Sequence, residues 1–416
     1  MKVVIVGAGI GGLTTALRLH QEGIDCVVYE QSERIAELGV GINALPHAVK
    51  ELTALGLLDR LDEIGIRTHE LSYTHRLGQE ILRKPCGLDA GFTLPQFSLH
   101  RGRLQGVLLR AVQERLGPDA VRTGYRLKGF DQDAGGVQAH FADRQGDAPV
   151  TVHGDVLVAA DGIHSTVRSI LFPAEGPPRW NGVMMWRGAT DWPEFGTGRS
   201  MIIAGGTAAK LVVYPIGQGR TAGTKLTNWA ICILTGRPGD PLPKRQDWSK
   251  PADPAELAGY VGRFRMPPVD HAGLVEATEE CFEFPMCDRD PLPYWSRGRV
   301  TLLGDAAHPM YPMGSNGAGQ AILDATSLSG HLARHTDPAE ALRAYQDDRL
   351  AATSEVVLRN RVGGPERVID EVERRAPDGF SRIEDVIDAA ALDAIVSGYA
   401  QASGSSPVQV NDPGAR

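Results

Sequence analysis

The chain has 416 residues, of which 42% are hydrophobic and 23% are charged, and its formal net charge is −8. The length predicts two or three domains with an ample core, and the composition is typical of a soluble globular protein. The negative charge argues against a protein that binds nucleic acid or an anionic membrane.

The N-terminal residues predict a strand, a tight turn and a helix. Val3–Val6 is a short apolar run typical of a buried strand, and Gly7, Gly9 and Gly12 follow it at the start of a helical pattern. These glycines permit a sharp turn, close approach of a pyrophosphate and tight packing of the helix on the strand. A second strand ends in Glu30, at the spacing of an acid that binds a ribose hydroxyl. The pattern predicts a dinucleotide with an unphosphorylated ribose, FAD or NAD, rather than NADP.

The chain up to residue 172 predicts further strands and helices around this unit. The glycines of residues 38–43 permit close approach of the backbone, and residues 68–97 predict strands and loops of a second layer. Residues 121–152 predict a small antiparallel meander. A buried strand at Val156–Ala160 then leads into Asp161-Gly162, a common turn that also suits ligand binding beyond the end of a strand.

The second half of the chain changes character and then returns to the first pattern. Residues 173–295 are rich in Pro, Gly and Trp and predict a mainly antiparallel sheet inserted in the first domain. Val300–Leu303 predicts another buried strand, with Gly304-Asp305 at its end and a long helix from about 319 to 335. Further helices are expected to about residue 400, and the Gly, Ser and Pro content of 403–416 predicts a disordered tail.

Three distant segments point to one dinucleotide, because ligands of open α/β sheets lie beyond the carboxyl ends of the strands. They are the glycine turn with Glu30, the segment VLVAADGIHSTVR and the segment TLLGDAAHPMYPMGSNGAGQAILD. On these motifs the chain resembles the class A, single-component FAD-dependent aromatic hydroxylases, the group of para-hydroxybenzoate and salicylate hydroxylases. The segments LGVGIN, THELSY, FSLHRGRLQ, MMWRG and FPMCDRDPLPYWSRGRV are similar to its phenazine branch, of the 5-methylphenazine-1-carboxylate 1-monooxygenase type. The likeness covers roughly residues 1–360.

The resemblance implies an α/β fold: a Rossmann-like FAD-binding domain of the para-hydroxybenzoate hydroxylase type, an inserted mainly antiparallel β-sheet substrate domain, and C-terminal helices. The expected ranges are 1–72, 97–172 and 296–340 for the discontinuous FAD-binding domain, 73–96 and 173–295 for the substrate domain, 341–402 for the C-terminal helices and 403–416 for the tail.

The resemblance also implies FAD as the bound cofactor and assigns residues to it. The expected contacts are Gly7, Gly9 and Gly12 for the pyrophosphate, Glu30 for the adenosine ribose, Arg101 for the pyrophosphate and ribityl region, Leu127 for adenine, Asp161 at its strand end, Asp305 for a ribityl hydroxyl, Gly317 and Ala318 for the flavin N1–O2 edge, and Gln31, Val40 and Gly41 elsewhere along the cofactor. Gly317 and Ala318 start a helix, whose amides and positive dipole end would stabilise the anionic reduced ring.

The chemistry of the class follows from its cofactor. NADH or NADPH visits transiently and reduces FAD, O2 adds at flavin C4a, and the distal oxygen of the resulting hydroperoxide is transferred to an electron-rich aromatic carbon. Pro312 would lie near C4a, and Asn43, Trp186, Arg187 and Tyr214 would contact the substrate, with Tyr214 also a catalytic candidate. Relatives that deprotonate a ring hydroxyl carry His at the place of Asn43. Because Asn cannot act as a base, this departure weakens the case for a simple phenol hydroxylase.

Other polar and methionine side chains have two interpretations each. Arg187 either neutralises a substrate carboxylate or braces the sheet. His47, one helix turn beyond Asn43, either faces the pocket or, as we expect, lies at the surface or caps a helix. His308 is expected in a supporting or core position rather than as a base. Methionines at 184, 185, 310 and 313 suit an apolar pocket for a flat polycyclic ring, although core filling explains them equally well.

We therefore expect a cytoplasmic FAD-dependent NAD(P)H:oxygen aromatic monooxygenase that hydroxylates a phenazine-like compound or an aromatic carboxylate. The five cysteines are scattered without a CxxC pair, which favours a reducing compartment and argues against a zinc site. We expect a monomer or homodimer, with no bound metal, no nucleic-acid partner and no membrane span. The alternative is a non-hydroxylating flavoprotein, either a flavin dehydrogenase or a sensor of an aromatic ligand.

Overall fold

The computed structural model describes residues 1–37, 40–142, 149–243, 252 and 254–412. Two residues of the predicted glycine loop, 38 and 39, lie outside this described part. The strands are β1 Lys2–Val6, β2 Asp25–Glu30, β3 Gly41–Ala44, β4 Gly65–Arg67, β5 Glu70–Thr74, β6 Glu80–Pro85, β7 Phe97–His100, β8 Val121–Thr123, β9 Arg126–Gln132, β10 Val137–Ala142, β11 Pro149–Gly154, β12 Val156–Ala159, β13 Arg179–Pro193, β14 Ser200–Ala204, β15 Ala209–Gln218, β16 Thr224–Leu234, β17 Cys281–Asp288, β18 Ser296–Arg297 and β19 Val300–Leu302. The helices are α1 Ile10–Gln21, α2 Pro46–Ala54, α3 Leu58–Ile64, α4 Arg101–Leu116, α5 Thr166–Leu171, α6 Pro254–Val261, α7 His271–Glu276, α8 Gly317–Arg334, α9 Pro338–Arg361, α10 Arg367–Arg375, α11 Ala389–Ala402 and α12 Pro407–Asn411.

A six-stranded sheet in the order β18-β19-β12-β1-β2-β8 forms the first domain. The five strands from β19 to β8 are parallel, and β18 pairs antiparallel at the edge. β1 lies at the centre, and Val3, Val4 and Ile5 are fully buried, because a parallel sheet covered on both faces needs continuous apolar strands. Helix α1 packs against α4 and α8. The Rossmann-like prediction is confirmed.

The second large sheet has seven strands in the order β17-β13-β16-β15-β14-β5-β6. All of its neighbouring strands are antiparallel except β14 and β5, which confirms the predicted mainly antiparallel sheet. One face packs on α6 and α7 through an apolar cluster that includes Trp229 and Leu274. The sheet takes in β5 from Glu70, slightly before the predicted boundary at residue 73. The domain ranges otherwise stay a prediction.

Two small sheets complete the β-structure of the described chain. β9, β10 and β11 form the predicted antiparallel meander. β3, β7 and β4 form a three-stranded sheet that contacts β15, and the Gly41 N–H donates a hydrogen bond to Asn228 Oδ1 at 2.8 Å. This small sheet therefore connects the two large ones where the crevice between them lies.

The C-terminal helices pack on the seven-stranded sheet, and the predicted disorder of 403–416 is wrong for residues up to 412. Helix α12 is present, its Val410 is 4% exposed, and Lys50 Nζ donates to the Val410 carbonyl oxygen at 3.1 Å. The same Ser and Pro content that predicts disorder also suits a helix start, since Ser406 caps α12 and Pro407 begins it. Residues 413–416 lie outside the described part. Among the described helices we find none that is long and apolar enough to cross a bilayer.

Candidate active site

The glycine turn between β1 and α1 leaves open space at the start of the helix. Gly7 has φ +102°, and a Cβ there would lie 2.3 Å from the Ala160 carbonyl oxygen. A Cβ on Gly12 would lie 2.0 Å from the Gly7 carbonyl oxygen, so only glycine allows α1 to pack this closely on the turn. A Cβ on Gly9 would instead meet no atom of the described residues within 4 Å. Open space beside the unpaired amides of a helix start suits a pyrophosphate, so this part of the site fits FAD.

The acid at the end of β2 is tied to the glycine turn. Glu30 Oε2 accepts a hydrogen bond from the Ala8 N–H at 2.8 Å. The Tyr125 N–H donates to the Glu30 carbonyl oxygen at 2.9 Å, which brings the start of β9 to this end of the sheet. Gln31 is exposed directly after β2, and Leu127 is buried in β9. Glu30, Gln31 and Leu127 therefore belong to one end of the crevice, and their contacts with adenosine stay a prediction.

A cavity of about 310 Å³ extends from the glycine turn to the seven-stranded sheet. The predicted cofactor residues that line it are Gly9, Gly41, Arg101, Asp305, Gly317 and Ala318. Asp161 is not part of this lining, although its neighbours Ala160 and Gly162 are. The Asp161 Oδ2 accepts a hydrogen bond from the Thr166 N–H at 2.8 Å at the start of α5, and Val40 accepts one from the Arg101 N–H at 3.0 Å. Asp161 and Val40 thus shape the crevice through the backbone.

Opposite charges face each other across the crevice at Arg101 and Asp305. Burial lowers the pKa of Arg101 and raises that of Asp305, and their mutual attraction acts against both shifts. The turn that carries Asp305 is held from behind by Asp324. The Asp324 Oδ2 accepts from the Gly304 N–H at 3.1 Å and bonds His308 Nε2 at 2.5 Å. His308 supports the turn, as expected, and does not line the cavity.

The start of α8 forms one wall of the cavity. Gly317 and Ala318 lie in its first turn, and Pro312 lies in the loop before it. Ser315, in the same loop, has φ 57° and is the only non-glycine residue with positive φ in the described chain. Such strain persists only where surrounding contacts impose it. The first amides of α8 face the cavity and can receive an anionic ring edge.

Alternation along the strands decides which side chains reach the cavity from the seven-stranded sheet. On β13, Met185 and Arg187 line the cavity, whereas the Trp186 ring lies on the other face, 5.1 Å from the Tyr260 ring. The prediction that Trp186 contacts the substrate is therefore wrong, because adjacent residues of a strand point to opposite faces. Met184 packs on that other face as well.

Arg187 and Tyr214 meet at the flavin end of the sheet. Arg187 donates a hydrogen bond to the Gly41 carbonyl oxygen, and its buried Nε has no partner among the described residues. Burial raises the pKa of the Tyr214 hydroxyl, and its hydrogen bond with Arg187 acts in the opposite direction. A phenol with a raised pKa keeps its proton at neutral pH. Tyr214 is thus suited to donate a hydrogen bond and not to act as a base.

Asn43 lines the cavity and joins two walls of it. Its Oδ1 accepts a hydrogen bond from Ser98 Oγ at 2.6 Å, and its Nδ2 donates to Ser315 Oγ at 3.2 Å. The amide therefore fixes the strained loop before α8 against β3 and β7.

Three buried polar residues were missed or misplaced by sequence reasoning. Lys210 on β15 and Glu366, directly before α10, form an ion pair that lines the cavity. They lie 156 residues apart, so no local spacing signals their contact; the only signal is a Lys at an inward position of an apolar strand. His47 is 4% exposed beneath α8 and not at the surface. A Cβ on Gly319 would lie 2.7 Å from its Nε2.

Comparison with known proteins agrees with this geometry. A family model described as an FAD binding domain matches residues 1–203 and 277–360. The phenazine 1,6-dicarboxylic acid hydroxylase of Lysobacter antibioticus is 43% identical over 363 residues, which cover 86% of this chain and 89% of that protein. The 3-hydroxybenzoate 6-hydroxylase 1 of Aquipseudomonas alcaligenes is 32% identical and covers 86% and 88% of the two chains.

Solved structures show the same fold. HpxO of Klebsiella pneumoniae, complexed with FAD and uric acid, superposes with a TM-score of 0.76 at 26% identity, covering 98% of each chain. A salicylate hydroxylase substrate complex has a TM-score of 0.74 at 22% identity and covers 100% of this chain and 99% of its own, which supports the fold alone. These relatives favour hydroxylation over the non-hydroxylating alternative. The chain belongs to the FAD binding domain family and is an FAD-dependent aromatic monooxygenase.

Proposed function

We propose that this enzyme hydroxylates a flat, polycyclic aromatic acid of the phenazine class, with NADH or NADPH as reductant and O2 as oxidant. The proposal depends on one observation: a single cavity is lined both by the predicted FAD contacts and by apolar side chains of the seven-stranded sheet. These apolar side chains form the floor of the cavity, and a cation lies at the end of the floor next to Gly41. The floor includes Met185, Met201, Val212 and Met286, and the cation is Arg187. Methionine side chains adapt to the faces of flat rings. The 43% identical relative is named for a phenazine dicarboxylic acid, which supports this substrate class.

The motif residues would hold FAD along the crevice. Gly9 leaves room for the pyrophosphate beside the turn that Gly7 and Gly12 make possible. Glu30 would accept from the ribose, Arg101 would offset phosphate charge and Asp305 would accept from the ribityl chain. The remaining assignments are Gln31 and Leu127 at the adenosine end, Asp161, Val40 and Gly41 along the crevice, and Gly317 and Ala318 at the flavin edge. When bound, FAD accepts a hydride from the nicotinamide and activates O2.

The residues around the floor would position the ring and exclude water. Arg187 would pair with a substrate carboxylate, since its guanidinium bonds neutral groups, the Gly41 carbonyl oxygen and the Tyr214 hydroxyl. Tyr214 would donate a hydrogen bond to a polar ring substituent. Asn43 would keep the loop before α8 in place, and Pro312 would help to close a dry space above the flavin.

We further propose that the enzyme works in the cytoplasm as a monomer or homodimer. In support, the five cysteines form no disulfide among the described residues, and burial raises the pKa of Cys26, Cys86 and Cys287 to about 12. Thiols with raised pKa values are inert, so the fold does not depend on disulfides. Light scattering during size-exclusion chromatography measures the oligomeric state.

The test is substrate-stimulated oxidation of NADH and NADPH by the purified yellow protein. Phenazine carboxylates, hydroxybenzoates and salicylate are compared, under ¹⁸O₂, with mass spectrometry of the products. We expect the phenazine acids to stimulate oxidation most and to gain one labelled oxygen atom. FAD-containing protein that shows no stimulation by any three-ring acid would contradict the proposed substrate class.

A further inference from the structure

The cavity wall at the Lys210 end of β15 contains a buried ion pair that the hydroxylation chemistry does not use. The side chains of Lys210 and Glu366 are 6% and 8% exposed. Glu366 Oε2 accepts from Lys210 Nζ, and Oε1 accepts from the Gly314 N–H at 3.3 Å. Lys210 Nζ also lies 3.1 Å from the sulfur of Met313, which is a weak acceptor. The pair is neutral as a unit, and its carboxylate remains at the cavity wall.

The two ends of the floor differ in charge. Lys210, Val212 and Tyr214 alternate along the cavity face of β15, so the first and last are about 13 Å apart along an extended strand. This span is comparable with three fused six-membered rings. At the Tyr214 end, Arg187 bonds a neutral backbone carbonyl and keeps its positive charge available. At the other end, Glu366 already neutralises Lys210.

A second substrate carboxylate would meet different conditions at the two ends. Beside Arg187 it would gain a charge-assisted hydrogen bond. Beside Lys210 it would lie a few ångströms from the carboxylate of Glu366, and like charges in a site that excludes water repel strongly. Burial alone would lower the pKa of Lys210, but Glu366 outweighs it and the pKa is raised. The lysine therefore remains the charged partner of Glu366.

We propose, resting on the function proposed above, that Glu366 is a specificity residue. It makes the enzyme prefer a three-ring aromatic with one carboxylate, seated at the Arg187 end, over one with a second carboxylate at the Lys210 end. The short segment between α9 and α10, which carries Glu366, thereby takes part in the choice of substrate. A ring nitrogen can still accept a hydrogen bond from Lys210 Nζ at this end.

The experiment compares dissociation constants of phenazine-1-carboxylate and phenazine-1,6-dicarboxylate for the FAD-loaded enzyme, measured by perturbation of the flavin spectrum. We expect the wild type to bind the monocarboxylate at least about tenfold more tightly, and Glu366→Gln to lower this ratio by about tenfold or more, because Lys210 then attracts the second carboxylate. Asp288→Asn is the matched control. Asp288 is likewise a buried carboxylate in an ion pair, here with Arg361, but it does not line the cavity, so the ratio of the two dissociation constants should equal that of the wild type.

Because Glu366→Gln leaves a buried cation and can unfold the protein, the double variant Lys210→Met/Glu366→Gln provides a second test. The ratio of the two dissociation constants in this variant should fall between those of the wild type and Glu366→Gln, because both the repulsion by Glu366 and the attraction by Lys210 are removed. A wild type that binds the dicarboxylate more tightly, with this binding lost in the double variant, would show that Lys210 anchors a carboxylate and would overturn the proposal. If both compounds bind and are turned over, but the ratio of their dissociation constants is the same in the wild type and in the Glu366 variants, this inference alone would be overturned. Failure of every three-ring compound to perturb the flavin or to stimulate NAD(P)H oxidation would overturn the proposed function with it.

Discussion

The carboxylate of Glu30 accepts a hydrogen bond from the backbone N–H of Ala8 at 2.8 Å, so the acid at the end of β2 is fixed against the glycine turn. We expect Glu30→Ala to weaken FAD binding about 10- to 100-fold, the loss of about 1.5 to 3 kcal/mol from hydrogen bonds to a charged group. Flavin fluorescence on titration of the apoprotein measures this change. Glu30→Gln keeps an acceptor for Ala8 and should be intermediate. Glu33→Ala, an exposed acid nearby, is the control, and equal affinities in all three variants would contradict the assignment.

Substitutions at two glycines of the same turn should affect different properties, one the binding of FAD and the other the stability of the fold. A Cβ on Gly9 projects into open space, whereas a Cβ on Gly12 would lie 2.0 Å from a backbone oxygen. We expect Gly9→Ala to leave the thermal stability of the apoprotein nearly unchanged while FAD binding falls sharply. Gly12→Ala should lower the stability of the apoprotein itself. Differential scanning fluorimetry without flavin, followed by flavin titration, tests both, and a Gly9→Ala protein that retains normal FAD affinity would refute the pyrophosphate site.

His47 makes the stability of the fold depend on pH. Burial, reinforced by the positive charge of Arg349, lowers the pKa of His47 to about 4. The unfolded chain, with a His pKa of about 6.5, therefore takes up a proton that the folded chain excludes, and stability falls as the pH drops below 6.5 towards 4. This residue should account for about 2 kcal/mol of lost stability between pH 7 and pH 5.

Urea unfolding of the wild type and His47→Leu at pH 7 and pH 5 measures this contribution. The variant should lose about 2 kcal/mol less on acidification than the wild type does. His20→Leu, which removes an exposed histidine, provides the control. Parallel losses in the wild type and His47→Leu would show that His47 binds its proton in the folded state.

Tyr214→Phe should change substrate binding without changing the shape of the pH–rate profile. The pKa of the hydroxyl is raised by burial, so it does not titrate between pH 6 and pH 9. We expect a KM increase of roughly 5- to 10-fold, typical of one lost hydrogen bond of about 1 to 1.5 kcal/mol. Disappearance of an acidic limb, on which kcat/KM rises with pH, would instead identify Tyr214 as a general base.

The sequence predicts those parts of the fold and site that depend on short-range patterns. The turn at Gly7–Gly12 and Glu30 follow from the spacing of neighbouring residues. The same reasoning predicts a long helix from about residue 319; the structure begins α8 at Gly317 and places its first turn on the same crevice as the glycine turn. These elements could be read from sequence because a strand, a turn and a helix are local and have few alternatives.

The side chains that shape the substrate end could not be predicted in the same way. Trp186 and Arg187 are adjacent in sequence, and only the pairing of β13 with its neighbours decides which of them faces the cavity. The Lys210 and Glu366 pair depends on packing of the C-terminal residues against β15, and His47 on packing beneath α8. Contacts of this kind join residues far apart in the chain and leave no periodic signal.

The hydrogen bonds of the chain's last helices reach back to its first half, from Val410 to Lys50 and from Asn411 to Thr93. During translation the amino-terminal nucleotide fold therefore emerges long before the wall that Glu366 supplies. Until residues 364–366 have emerged, the substrate chamber lacks one of its walls. The chamber for oxygen chemistry therefore closes after the nucleotide fold has formed, which limits wasteful consumption of reductant by unfinished protein.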